Sequence, residues 1–184
     1  MKTETSMETE RLLIREMTLE DAEVLYRYWS DDEVTKHMNI SSFTHVDQAK
    51  DMIQLLLDLG KEGKAYRYSI VLKETDQVIG TCGFNYIDRE DNRAEVGFDL
   101  GRPYWQKGYA GEGLEALIRY GFNVHKLNRI EAKVEPENVN SKKLLSKLAF
   151  VHEGILREYQ KSKGNYVDLH IFSLLKKEYL EQNE

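Results

Sequence analysis

Cysteine is nearly missing from this chain: of 184 residues only Cys82 is one. An internal disulfide is therefore excluded, and a reducing compartment, the cytoplasm, is the expected one. Proline occurs twice, at Pro103 and Pro136, both between expected elements. No apolar run approaches the roughly 20 residues that cross a bilayer, so a membrane is not an expected partner. The first ten residues are polar and acidic and lack the apolar core of a signal peptide. Positive charge is in short supply too. The 26 Lys and Arg residues face 32 Asp and Glu, a net charge of -6, whereas a protein that grips nucleic-acid phosphates is usually basic. Nucleic acid is not an expected partner either. No grouping of His, Cys and carboxylates has metal-ligand spacing, so no metal is expected.

What is present suits a packed globule. The chain is 41% hydrophobic and 10% aromatic, and its length fits one α/β domain. We expect a flexible leader over residues 1–8 and a single domain over 9–184. Residues 11–15 read as a short strand. Thr18 with Asp21 three positions on forms a carboxylate version of the capping box, opening a helix with Ala22, Leu25, Tyr26 and Trp29 at helical spacing. Residues 30–33 end it or begin a short turn of helix. A second helix is expected over 45–60, with Ala49, Ile53, Leu56 and Leu57 on one face and Gly60 as its stop.

The pattern then changes to strands at 66–72, 78–84 and 94–100, joined by short turns, which predicts an antiparallel meander. Its exposed edges leave room for a homodimer. A helix with Leu114, Leu117, Ile118 and Phe122 as its apolar stripe follows, then a strand at 130–135 and a helix lined by Leu144, Leu145 and Leu148. A last hairpin joins 151–159 to 166–174. The order β-α-α-β-β-β-α-β-α-β-β predicts an α/β (α+β) fold, a mixed, mostly antiparallel sheet with one parallel pair across the helix that follows Leu100.

Chemistry concentrates in Trp105-Gln106-Lys107-Gly108-Tyr109-Ala110-Gly111-Glu112-Gly113, at a strand-loop-helix junction. Gly108 permits torsions or a close ligand approach that a side chain would block. The helix start offers unpaired amides and the positive end of its dipole, a combination that suits a pyrophosphate. Lys107 adds charge there. No Gly-Lys-Ser/Thr follows, so this is not a nucleoside-triphosphate loop, and the dinucleotide Gly-x-Gly-x-x-Gly pattern is missing. On the glycines alone, a simple turn explains the segment equally well.

Position in the chain separates the two readings. A loop with Gly-x-Ala spacing between a meander and a helix resembles the coenzyme A site of the GNAT superfamily of N-acetyltransferases. Thr9-Glu10-Arg11-Leu12-Leu13-Ile14-Arg15 with Asp21-Ala22 is similar to the opening of its RimJ/RimL-type branch, the ribosomal-protein N-terminal acetyltransferases. So are Ala94-Glu95-Val96-Gly97-Phe98, Tyr104-Trp105-Gln106-Lys107-Gly108-Tyr109-Ala110, Asn138-Val139-Asn140-Ser141 and Glu153-Gly154-Ile155-Leu156-Arg157.

The resemblance implies helices on both faces of the sheet and a splayed parallel strand pair that binds acetyl-CoA as co-substrate. Amides near Phe98, Asp99 and Leu100 would hold the pantetheine arm. Those of Gln106, Lys107, Gly108, Tyr109, Ala110 and Gly111 would hold the pyrophosphate, and Asn138 the far side of the cofactor. Trp105 stands where the wider superfamily has Gln or Arg. Leu145 stands where many relatives carry the tyrosine that protonates the leaving thiolate, and Ser141 is its natural replacement. The family Gly-Phe after that helix is Ala149-Phe150, and Gln160 stands where some relatives carry a carboxylate.

Transfer from a thioester to an amine needs a neutral amine, a polarised carbonyl and a proton for the thiolate, but no cysteine nucleophile. Cys82 reads as a buried, inert thiol. Direct attack in a ternary complex is expected, with Glu95 as the candidate base, directly or through water; a salt-bridged strand residue explains Glu95 equally well. Glu158 and Asp168 lie on the final hairpin, which helps form the acceptor wall in the family; His152 and His170 read as separate structural histidines. The acceptor is an amine-bearing molecule, most readily a protein or peptide N-terminus held by a wall running from Trp29 to Phe43, whose Asp31, Asp32 and Glu33 would attract its ammonium. A polyamine, amino acid or antibiotic is the alternative, and a CoA-binding regulatory module without turnover the second.

Overall fold

A computed structural model describes residues 6–182 of the chain. Its strands are β1 (Met7–Glu8), β2 (Leu12–Glu16), β3 (Tyr66–Leu72), β4 (Gln77–Asp88), β5 (Arg93–Leu100), β6 (Arg129–Val134), β7 (Val151–Ser162) and β8 (Asn165–Leu175). Its helices are α1 (Ala22–Trp29), α2 (Asp32–Thr35), α3 (Val46–Lys61), α4 (Tyr109–Asn123), α5 (Val139–Lys147) and α6 (Lys176–Gln182). The eight strands form one sheet in the order β1-β2-β3-β4-β5-β6-β8-β7. Neighbours run antiparallel except β5 and β6, which are parallel. Among the described residues no helix is long and apolar enough to cross a membrane.

Strand alternation sorts side chains onto two covered faces. Leu12, Ile14, Tyr68, Ile70 and Phe84 pack under Leu114, Leu117, Ile118 and Phe122 of α4. The intervening Val71 and Val78 pack on the other face with Leu25 and Trp29 of α1 and Ala49 and Ile53 of α3. The start of α1 is set by Asp21. Buried between β2 and β3, it accepts the amide of Thr18 (3.0 Å), both Arg15 guanidinium nitrogens (2.8 and 2.9 Å) and the Ser69 hydroxyl (2.7 Å). Burial acts to raise the Asp21 carboxyl, but these donors prevail and hold it below the usual carboxylate range.

Several expectations need correction. Met7, inside the expected leader of residues 1–8, pairs with Ile14 and buries its side chain in the core; residues 1–5 lie outside the described ones. Gly60 does not stop α3. The helix continues to Lys61, and the left-handed residue is Gly63, with φ of 71°. The meander is not at the sheet's edge, since β2 covers β3 and the start of β6 pairs with the first three residues of β5; the sheet ends at β1 and β7. The final hairpin is longer than expected and turns on Lys163-Gly164, both left-handed, the torsions that a tight two-residue hairpin turn requires. At its tip, Lys163 Nζ donates to the Thr35 and Lys36 carbonyls (2.8 and 3.1 Å) and ties the hairpin to the end of α2.

His125 follows α4. Its ring stacks on Tyr66 at 5.0 Å and meets Phe84 and Tyr120 edge-on. Its Nε2 is buried with no hydrogen-bond partner among the described residues. Burial first, and the nearby Arg89 second, push its pKa down to about 4. In the unfolded chain the ordinary value is about 6.5. Between these values the unfolded chain takes up a proton that the folded one refuses, so this contribution to stability is present above about pH 6.5 and is lost as pH falls toward 4. Melting temperatures measured across this range should fall more steeply for the wild type than for His125→Phe; parallel profiles would contradict the assignment.

Candidate active site

The site begins where the sheet splits. β5 and β6 pair at Arg93–Arg129, Ala94–Ile130 and Glu95–Glu131, and nowhere further along. Beyond Glu95, β5 stays on β4 as far as Leu100, while β6 stays on β8 as far as Val134. The ladder to β4 decides which amides are left over. The Gly101 amide donates to the Ile79 carbonyl (2.9 Å). Counting back by twos, Asp99 and Gly97 face β4, opposite Thr81 and Gly83. Phe98 and Leu100 turn their backbone groups to the gap. The sequence grouped Phe98, Asp99 and Leu100 together; strand alternation assigns the Asp99 amide to the sheet instead. The Leu100 carbonyl accepts the Trp105 indole N–H at 2.8 Å, so the gap closes at that end.

The loop that follows has two left-handed residues, Gln106 (φ 59°) and Gly108 (φ 83°), on either side of Lys107. Such alternation turns successive amides toward one side, a concavity suited to an anion. α4 starts at Tyr109, and the Glu112 amide bonds back to the Gly108 carbonyl at 3.1 Å. The amides of Tyr109, Ala110 and Gly111 precede that bond and belong to the unpaired first turn. A side chain at Gly108 would put its Cβ 3.2 Å from Arg11 Nη2. Free donors, a helix N-terminus and a glycine-sized space fit a pyrophosphate.

On the α1/α3 side of β5 lies a cleft of about 430 Å³ that brings together Glu95, Phe98, Asp99, Asn138 and Ser141; Leu100 and residues 106–111 lie outside its lining. Its floor is a continuous polar chain. Trp29 Nε1 donates to Asp99 (3.1 Å), as do Arg67 (2.8 Å) and the Thr81 hydroxyl. Arg67 also donates to Asn85 Oδ1 (3.0 Å), and Asn85 Nδ2 donates to Glu95 (3.3 Å). Glu95 pairs with Lys133 at 2.7 Å, and the Tyr159 ring lies 5.2 Å from the same Nζ. Burial acts to lower the Lys133 pKa, but the hydrogen bond and charge of Glu95 raise it and prevail, so this lysine stays cationic. Gly97 makes the chain possible: a Cβ there would come within 2.6 Å of the Asn85 amide and 3.0 Å of Arg67.

Across the gap, Asn138 caps α5. Its Oδ1 accepts the Ser141 amide at 3.1 Å, so the capping oxygen belongs to Asn138 and not to Ser141. The Ser141 hydroxyl lines the cleft with no hydrogen-bond partner among the described residues. Leu145, one turn on, closes the wall with a buried side chain. On the other wall His37 Nδ1 meets Glu135 at 3.0 Å beside Met38 and Ile40. Asp31, Asp32 and Glu33 do not line this cleft. Asp31 pairs with Arg102 at 2.8 Å and Asp32 accepts the Ser42 hydroxyl, because α2 turns them outward. Asp168 accepts the Glu158 amide at 2.7 Å at a bulge of β7, and neither lines the cleft, whereas Gln160 does. His152 and His170, read separately from sequence, are one contact: Nε2 to Nδ1 at 2.9 Å, rings stacked across the β7–β8 pair. Cys82 is buried, and burial pushes its thiol up to about 12. Among the described residues no group of three or more His, Cys, Asp or Glu is placed to hold a metal ion.

Sequence reasoning missed Arg67, Asn85, Lys133 and the structural use of Arg11. Arg67, the one charged residue of 66–72, was the available signal there; Lys133 had none, because 129–134 alternates charged and apolar residues throughout. Asn85 had none, because it is the extra residue of a bulge in β4 between Phe84 and Tyr86.

A profile of the acetyltransferase (GNAT) domain matches residues 11–151. The protein named uncharacterized N-acetyltransferase p20 of Bacillus licheniformis is 63% identical over 93% of this chain and 96% of its own length. The [ribosomal protein uS5]-alanine N-acetyltransferase of Escherichia coli is 26% identical over 91% of this chain and 88% of its own. The crystal structure of a GNAT-family acetyltransferase from Bacillus anthracis superimposes with a TM-score of 0.84 at 26% identity, over 94% of this chain and 99% of that one. Taken with the parted strands and the loop at Gly108, these matches establish that the chain belongs to the GNAT family of acetyl-CoA-dependent N-acetyltransferases, on the RimJ/RimL side of it.

Proposed function

We propose that the protein acetylates the N-terminal amine of a peptide or protein, by direct attack on acetyl-CoA in a ternary complex. The observation that carries this reading is the pairing of Glu95 and an unbonded Ser141 hydroxyl across one cleft. Acetyl-CoA supplies the activated acetyl group. The backbone of Phe98 and Leu100 holds its pantetheine arm, residues 106–111 hold its pyrophosphate, and Asn138 borders its far side. Glu95 takes the proton that the amine loses as its nitrogen bonds to the carbonyl carbon. Ser141 hydrogen-bonds the sulfur as the carbon–sulfur bond breaks and gives its hydroxyl proton to the thiolate, and solvent water restores the serine's proton.

Glu95 is a carboxylate base held in place by Lys133 and Asn85. Such a base suits an α-amine, with a reference pKa of about 7.7–8.0, better than a lysine side chain at about 10.4. The apolar wall of Met38, Ile40, Met52 and Leu56 suits the first side chain of a peptide. The relative that acetylates a ribosomal-protein alanine points the same way. A polyamine is less well served, because the acids at 31–33 that would hold its further charges face away from the cleft.

Short peptides with a free, small N-terminal residue should therefore be acetylated faster than N-blocked peptides containing lysine, with turnover rising through neutral pH. Equal rates on both, or a preference for spermidine, would reject the specificity. Glu95→Gln should lower kcat by about 10²-fold or more, in the range of general-base effects, with acetyl-CoA affinity unchanged. Ser141→Ala should likewise lower kcat and spare that affinity. Unaltered turnover in either variant removes the role assigned to that residue.

A further inference from the structure

A carboxylate sits at the mouth of the pyrophosphate site. Glu112 occupies the first turn of α4, where the helix dipole welcomes a negative charge and where a pyrophosphate would compete for the same field. The chain deals with it from a distance of about a hundred residues in sequence. Arg11 Nε meets Glu112 Oε2 at 2.7 Å, the Arg11 amide meets Oε1 at 2.9 Å, and the Thr9 hydroxyl donates to the same oxygen. Arg11 Nη1 donates to the Lys107 carbonyl at 2.9 Å, and its guanidinium lies 4.5 Å from the centre of the Tyr109 ring. One side chain thus holds the loop by a carbonyl, the helix by an aromatic ring, and the competing acid by its charge. Arg11 Nη2 lies close to Gly108.

The geometry points to Arg11 as a positioning residue for acetyl-CoA: it pins Glu112 back against Thr9 and fixes the Lys107 carbonyl, so that the amides of the loop face the pyrophosphate and no free carboxylate does. This rests on the assignment of the pyrophosphate to residues 106–111. Two further facts support it. Burial would raise the Glu112 carboxyl, yet Thr9 and Arg11 draw it below the usual range, so it is held ionised and paired. Trp105 stands at the loop position where the wider superfamily has Gln or Arg, and its indole is spent on the Leu100 carbonyl, so the guanidinium beside the loop comes from the approach to β2. The role also gives a physical reason for Thr9 and Arg11 in the opening segment.

The test compares two donors, acetyl-CoA and S-acetylpantetheine, which lacks the pyrophosphate and adenosine. Calorimetric titration with CoA should give a dissociation constant at least about 10-fold higher for Arg11→Gln than for the wild type, and KM for acetyl-CoA should rise in step. KM for S-acetylpantetheine and kcat with either donor should not move, a pattern that mere loosening of the fold would not produce. Adding Glu112→Gln to Arg11→Gln should recover part of the lost affinity, because the unpaired carboxylate is then gone. Wild-type CoA affinity in Arg11→Gln, or an equal loss for both donors, overturns the proposal. If the wild type itself handled the two donors equally well, the pyrophosphate assignment would fall first and this role with it.

Discussion

Three residue pairs hold β5 to β6, and the structure of the site depends on the ladder stopping there. Past Glu95, β5 stays paired with β4 through Leu100 and β6 stays paired with β8 through Val134, while the two no longer pair with each other. Each strand keeps its outer partner and gives up the inner one. Buried backbone groups that lose a partner must find another. At Leu100 the carbonyl finds the Trp105 indole; for Phe98 and the Leu100 amide the proposed partner is the co-substrate. A parallel pair is well suited to this, since its long crossover delivers α4, with its positive N-terminus, to the place where the strands part.

The polar chain along the cleft floor lies beside the same split. Asp99 is buried with three donors, among them the Arg67 guanidinium. A lone buried carboxylate is costly, whereas one with this many donors is held in a single geometry. Arg67 transmits that geometry to Asn85, and Asn85 to Glu95 at the fork. Gly97 is small because two polar side chains cross above it. The floor of the cleft is in this sense built outward from a structural ion pair, and Glu95 is the last of its members to be held before the strands diverge.

Regular elements were legible in the sequence where period and apolarity agree: 66–72 and the stripe of α4 stand as the pattern predicts. The family resemblance carried the loop at Gly108 and the pair Asn138 and Ser141. What escaped has local physical causes. Asn85 faces the cleft through a bulge, which no alternation pattern announces. The αL residue after α3 is Gly63, three positions past the glycine that looked like a stop. Lys133 and Glu95 lie 38 positions apart and meet through a parallel register. His152 and His170 meet across a hairpin whose register a bulge shifts. The acids at 31–33 were placed on the right wall but on its outer side, because a short helix turns them away.

The central claim is that alternate backbone groups of β5, freed by the split, receive the pantetheine arm. Backbone amide resonances followed during titration of the 15N-labelled protein with CoA test it directly. The amides of Phe98, Leu100 and residues 106–111 should shift strongly, while the Asp99 amide keeps the slow hydrogen exchange of a paired strand residue. Strong shifts elsewhere in the sheet with Phe98 and Leu100 unmoved would contradict the account.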